Sequence, residues 1–134
     1  VTDSPEKIWV DFTTNGESGG KVYVYGSNAG LASTRAGYTI SAVTGNLTSL
    51  TEGFGAQGSS ATQSSGGPFA IATAYNLASD NVAITDTNIR EIFTTSNPIA
   101  GGRGSFLLKA KSSAVTPAAN DYVESLTVIA SASF

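Results

Sequence analysis

Residues 122–134 read YVESLTVIASASF. Tyr122, Leu126, Val128, Ala130, Ala132 and Phe134 fall on one face of this stretch, and Ser125, Thr127, Ser131 and Ser133 fall on the other. A period of two marks a strand with one apolar face; a helix would repeat every 3.6 residues. At about 3.4 Å per residue the run would span roughly 44 Å, against about 17–20 Å for a usual strand. It therefore bends at a bulge or pairs with more than one neighbour along its length.

The same period recurs upstream. Ser105–Lys111 points Phe106, Leu108 and Ala110 inward and Lys109 and Lys111 outward. Lys7–Phe12 places Ile8, Val10 and Phe12 on one face, and Lys21–Tyr25 does the same with Val22 and Val24. Thr13–Gly20, rich in glycine, joins these two as a long hairpin loop. Tyr38–Val43 sets Tyr38, Ile40 and Ala42 together, and Phe69–Tyr75 sets Phe69, Ile71 and Tyr75 in register. Asn81–Thr85 is a short strand candidate. Ile89–Phe93 fits either a strand or a helical turn, because Ile89, Ile92 and Phe93 also match helical spacing. Thr51–Pro68 is poor in large apolar residues and reads as a long surface loop anchored by Phe54. Ser96–Gly104, with Pro98 and three glycines, reads as a turn. These segments predict an all-β chain, a single antiparallel β-sandwich domain over residues 1–134 with about seven or eight strands. No βαβ rhythm and no internal repeat interrupts them.

Composition narrows the function. The chain has no His and no Cys, which removes the usual neutral-pH acid–base, the commonest metal ligand, thiolate chemistry and disulfides. Only 13% of residues are charged, about half the share of an average soluble domain. A net charge of −3 and scattered cations argue against nucleic acid. No apolar run approaches the roughly 20 residues of a membrane span. The chain contains no Met and begins at Val1, for which removal of a secretion leader is the simplest account. Secretion to the extracellular space or cell surface is the expectation, with no cofactor.

Ten carboxylates are the remaining source of chemistry: Asp3, Glu6, Asp11, Glu17, Glu52, Asp80, Asp86, Glu91, Asp121 and Glu124. A pair about 5–9 Å apart could hydrolyse a glycoside, but no spacing pairs them. No G-x-S-x-G elbow is present. Gly101–Gly104 leads into a strand, so it suits a turn with positive φ rather than a phosphate cradle. Asp80-Asn81 and Asp86-Thr87-Asn88 offer oxygens of the kind calcium accepts, and equally suit turns. Asn46-Leu47-Thr48 is an N-glycosylation sequon. Lys109 or Lys111 with Asn120 and Asp121 could form an isopeptide crosslink, although outward lysines on a strand are ordinarily solvated gatekeepers. Catalysis is not expected.

Trp9, Tyr23 and Tyr25 carry the second functional candidate. If Val10 and Val22 face the core, these three point outward from neighbouring strands and form an apolar patch, a site for protein contact or sugar stacking unless the 51–68 loop covers it.

Three stretches in the last third carry a resemblance: Gly102–Lys111 (GRGSFLLKAK), Thr116–Tyr122 (TPAANDY) and Leu126–Phe134 (LTVIASASF). They resemble the P-A-G-x-Y-x-D-x-L-T-V-x-A-x-x-F ending of secreted bacterial surface proteins. They are similar to spore-coat-U-like domains, which include archaic chaperone–usher pilins. The resemblance implies an immunoglobulin-like sandwich that polymerises by donor-strand exchange. Those pilins commonly carry cysteines and a separate N-terminal donor extension. Here Val1–Phe12 would itself be the donor, inserting Ile8, Val10 and Phe12 into a neighbour, with Phe134 at the other terminus. Two functions follow as expectations: a structural subunit of an extracellular filament or surface assembly, partnered by copies of itself, or a carbohydrate-binding or adhesive module. A capsid or decoration protein is the third.

Overall fold

The computed structural model describes residues 1–134. Its strands are β1 (Thr2–Asp3), β2 (Ile8–Thr14), β3 (Gly20–Gly26), β4 (Gly30–Ser33), β5 (Tyr38–Ser41), β6 (Gly45–Asn46), β7 (Gly53–Thr62), β8 (Ser65–Gly66), β9 (Ala70–Ile71), β10 (Asn81–Val82), β11 (Arg90–Thr95), β12 (Ile99–Lys111) and β13 (Leu126–Ala132). The chain is all-β: the one helical element is the 3₁₀ turn Thr73–Tyr75. Eight strands have four or more residues, and β1, β6, β8, β9 and β10 have two each.

Strand β12 organises the first sheet. It pairs with β2 and β1 along one edge and with β7 and β8 along the other, all antiparallel. The second sheet runs β13-β3-β11-β9. The sheets stack face to face, strand over strand. A β-carbon at Gly20 of β3 would come within 2.6 Å of the Phe12 ring, and one at Gly104 of β12 would come within 2.6 Å of Phe93. Between the sheets lie Phe12, Val22, Val24, Ala56, Phe69, Tyr75, Ile92, Phe93, Ile99 and Phe106. Phe12, Phe69 and Phe93 stack in sequence, with ring centres 6.0 and 5.2 Å apart. The inward faces read from period two are the faces that pack here: Ile8, Val10 and Phe12 on β2, Val22 and Val24 on β3, Phe106 and Leu108 on β12.

Several boundaries differ from the sequence reading. Residues 53–62, expected within a loop, form the ten-residue β7, whose first six positions are buried. Small side chains are what this strand requires. A β-carbon at Gly55 would meet Val82 at 2.8 Å, and one at Gly58 would meet Ile71 at 2.4 Å. Phe54 is buried, as an anchor should be. The expected turn at Ser96–Gly104 is mostly β12: the strand absorbs its glycines at a bulge between Ile99 and Gly102, with Gly101 at φ +62. Ile89–Phe93 forms no helix. It lies largely in β11, where a register shift between Glu91 and Phe93 turns both Ile92 and Phe93 inward. That bulge produces the helix-like spacing. Phe69–Tyr75 is strand only at Ala70–Ile71 before the 3₁₀ turn.

The expected β2–β3 hairpin does not form. β2 pairs with β12, and β3 pairs with β11 and β13. The segment joining β2 to β3 passes from one sheet to the other, because both strands have an apolar face to bury and stacking buries the two against each other. The terminal run divides as its length required. Val123 bridges to Ala32 of the β4–β5 hairpin, while Leu126–Ala132 pairs with β3. The two ends of the chain lie at opposite poles: Thr2 pairs with Ala110 near the last residues of β12, whereas Ser133 bonds Gly19 beside the loop that follows Thr14, the partner of Ile99.

Candidate functional site

The chain offers two exposed surfaces and no converging set of reactive groups. The first surface is β13. Its register sets Val128 opposite Val24, Ala130 opposite Val22 and Ala132 opposite Gly20. Cross-strand partners share a face, so these three belong to the core side. Yet Val22 and Val24 are fully buried while Val128 is 38% exposed, and Ala130 and Ala132 are exposed. The first sheet stops at β2, which lies over β3, and β13 overhangs it. On the outer side Ile129, 39% exposed, stands opposite Tyr23, and Thr127 opposite Tyr25. The other long edge of β13 has no partner strand. β13 thus meets solvent on both faces and along one edge, and Phe134 beyond it is almost wholly exposed.

The second surface surrounds Trp9. It stands 52% exposed on the outer face of the first sheet, with the Arg103 guanidinium 4.7 Å from its ring centre. Asp11 lies 3.5 Å from Arg103, and Ser60 shares a 2.6 Å hydroxyl hydrogen bond with the buried Ser105, the cross-strand partner of Trp9. Tyr23 and Tyr25 point outward as expected, but from the second sheet. Trp9 therefore lies on the opposite side of the sandwich from the tyrosines, and the three form no common patch. Their pairing rested on the hairpin that the fold replaces. β7, far from covering them, is itself a strand of the first sheet, on the opposite side of β12 from β2.

Eight of the ten carboxylates bind other parts of the chain. Glu124 accepts hydrogen bonds from the backbone N–H groups of Ser27 and Asn28, at 2.9 and 3.1 Å. Asp121 accepts from the Ser33 hydroxyl and the Arg35 N–H, fixing the β4–β5 turn. Glu52 accepts from the Thr116 and Tyr38 hydroxyls, both at 2.6 Å. Asp86 pairs with Arg90, Glu91 with Lys21, Asp11 with Arg103, and Asp3 and Asp80 both with Lys109. Hydrogen bonds favour the ionised form. The Thr116 and Tyr38 hydroxyls hold Glu52 below the usual carboxylate range. Thr48 with Lys109 does so for Asp80, Arg90 for Asp86, and Ser33 with Arg35 for Asp121. A general acid needs the reverse shift. Among these groups only Asp3 and Asp80 converge on one point, and a lysine ammonium occupies it.

Lys109 and Lys111 project from the outer face, and both are tied to other parts of the chain. Lys109 is 6% exposed, capped by Asp3 at 2.9 Å and Asp80 at 3.4 Å. Burial lowers its pKa, and the two carboxylates more than offset that, leaving it raised. Lys111 donates to the carbonyls of Thr48 and Leu50. Asn120 and Asp121 serve the Arg35 turn instead, so the expected isopeptide partners are not brought together. Asp86 closes its own turn through the Asn88 N–H. In the sequon the Asn46 side chain accepts the Thr48 N–H, and Leu47 between them is fully buried. A groove of about 610 Å³ between the 3₁₀ turn and β11 is lined by Thr73, Ala74, Ile84 and Ile89; its acid, Glu91, is already paired with Lys21.

The segment Val1–Phe12 pairs with β12 of its own chain, and Ile8, Val10 and Phe12 pack against their own core. Phe134 is an interface candidate in the sequence; Val128, Ala130 and Ile129 join it as exposed surface only in the structure. The signal was there: a neutral strand at the end of the chain with alternating small residues, whose burial depends on how far the facing sheet extends. No helix is long and apolar enough to cross a membrane. Comparison with protein-family models, with curated proteins and with solved structures finds no match for the chain.

Proposed function

We propose that the chain is a structural subunit of an extracellular or cell-surface assembly, joined to its neighbours through β-strand contacts, and that it catalyses no reaction. The observation that supports this is β13, a seven-residue strand with two exposed faces and a free edge. Unpaired strand edges recruit further strands, and soluble proteins ordinarily cover or charge them. The carboxylates held ionised and engaged in ties support the second half of the proposal. Strand donation by Val1–Phe12 would carry the β2–β12 pairing into a neighbour as an exchange; addition at β13 needs no such rearrangement. Light scattering on the purified protein across a concentration series, with electron microscopy of the concentrated sample, is the test. Concentration-dependent growth in mass is expected, and a monomer at every concentration would refute the assembly.

Trp9 favours a second reading, a carbohydrate-binding or adhesive surface. An exposed indole beside an Arg–Asp pair can stack on a sugar ring while the charged groups bind its hydroxyls. Polysaccharide binding abolished by Trp9→Ala and unaffected by Tyr23→Ala would favour it.

A further inference from the structure

We infer that β13 pairs antiparallel with β13 of a second copy, about a two-fold axis at Ile129. This rests on the assembly reading above and specifies the contact.

The other edge strands of the two main sheets are each protected along at least part of their length. β7 is covered where Ala83 bridges Ala56 and Ala42 bridges Phe54. β9 is two residues long. β2 is flanked by Lys7 and carries Asp11, the latter with its side chain 79% exposed. These are the usual devices against edge pairing: cover, shortness and charge. β13 has none of them. No charged residue occurs from Ser125 to Phe134, and the nearest charges on β3 and β11, Lys21 and Glu91, neutralise each other at 2.8 Å. In a chain of net charge −3, two like copies repel. A contact in which a patch meets its own image must be free of like charge, and β13 meets that condition.

The backbone has the matching polarity. Ser125 accepts from the Ser27 N–H, and Ser133 donates to the Gly19 carbonyl. Alternation then turns the polar groups of Thr127, Ile129 and Ser131 toward β3. Those of Leu126, Val128, Ala130 and Ala132 point to the open edge. An axis at Ile129 sets Val128 opposite Ala130 of the second copy, with both residues presenting free N–H and C=O groups to each other. Thr127 meets Ser131 on the outer face, and Ile129 meets Ile129 between the flanking tyrosines. On the inner face Leu126 meets Ala132. Every side chain therefore faces one of its own kind, hydroxyl to hydroxyl and apolar to apolar.

This parity supplies a selective test. Ala130→Pro removes an N–H that points to the open edge, a position where strands accept proline, so the chain's own β13–β3 ladder is retained. Ile129→Cys places a lone thiol at a non-hydrogen-bonded pair, where α-carbons lie about 4.5 Å apart, within disulfide reach. The chain has no other cysteine, so any disulfide joins two copies. Sedimentation or light scattering of the wild type should show a dimer. Ala130→Pro should weaken dimerisation by at least about 100-fold with an unchanged circular dichroism spectrum. Ile129→Lys provides a second disruption should the proline variant fold poorly. Ile129→Cys should oxidise to a covalent dimer under mild conditions. A wild type that stays monomeric at about millimolar concentration refutes this contact and the assembly together. A wild type that associates while both folded disrupting variants associate equally refutes the contact alone, as does an Ile129→Cys protein that associates but does not crosslink.

Discussion

Strands β12 and β13 are alike in sequence and opposite in circumstance. Both alternate, both come from the last third of the chain, and both run antiparallel to their neighbours. β12 has strands along both edges and the second sheet beneath it, and Ser105 and Phe106 at its middle are fully buried. β13 has one partner, and six of its seven residues are exposed. The difference arises from what surrounds each strand, since period two reports a strand's two faces but not whether anything covers them. One strand stabilises the fold, and the other leaves a surface open.

The comparison can be broken by substitution. Phe106→Ala removes a fully buried ring from beside Phe93 and should cost about 3–5 kcal/mol in urea unfolding; a loss under about 1 kcal/mol would mean that β12 is not the centre of the core. Glu124→Ala leaves the Ser27 and Asn28 N–H groups to water at the turn after β3. A loss of about 1 kcal/mol is expected, measured by the shift of the urea midpoint. Ile129→Lys on β13 should change monomer stability by less than about 0.5 kcal/mol, in keeping with an exposed side chain that contributes little to its own fold. A large effect there would show β13 to be part of the core and would erase the contrast.

Acid provides a further test. Glu52, Asp80, Asp86 and Asp121 all have folded-state pKa values below their unfolded ones. The unfolded chain therefore binds protons first as pH falls. The stability these groups contribute is full above their unfolded values near about 4 and is lost as pH drops through the lowered folded values. Melting temperature should hold between neutral pH and about 5 and then decline. Glu52→Gln should flatten part of that decline, and an unchanged acid profile in this variant would remove the Tyr38–Glu52–Thr116 tie as a cause.

Much of the sandwich was legible because its inward faces obey period two. Ile8, Val10, Phe12, Val22, Val24 and Phe106 were read from alternation and lie where alternation put them. β7 was not legible. Its small residues let neighbouring groups come close at Gly55 and Gly58, and a strand of small residues looks like a loop. Ile92 and Phe93 misled through their bulge. The pairing of β2 with β12 instead of β3 follows from contacts between residues as far apart in the chain as Ile8 and Phe106, which no local pattern encodes. The candidate site was half visible: Trp9 was read as exposed, and it is, but its distance from Tyr23 and Tyr25 depends on which sheet each strand joins.

The position of the chain's ends has a mechanical consequence. Val1 lies toward one pole of the sandwich and Phe134 toward the other. Tension applied through the two ends pulls β2 along its own axis against β12, and β13 along its axis against β3. The ladder bonds of each pair are then loaded side by side, in shear, and must yield together. Pulled from a common pole they would be peeled apart one at a time. A domain held this way resists stretching along its length, and the Lys109 clasp on Asp3 secures the end at which that load enters.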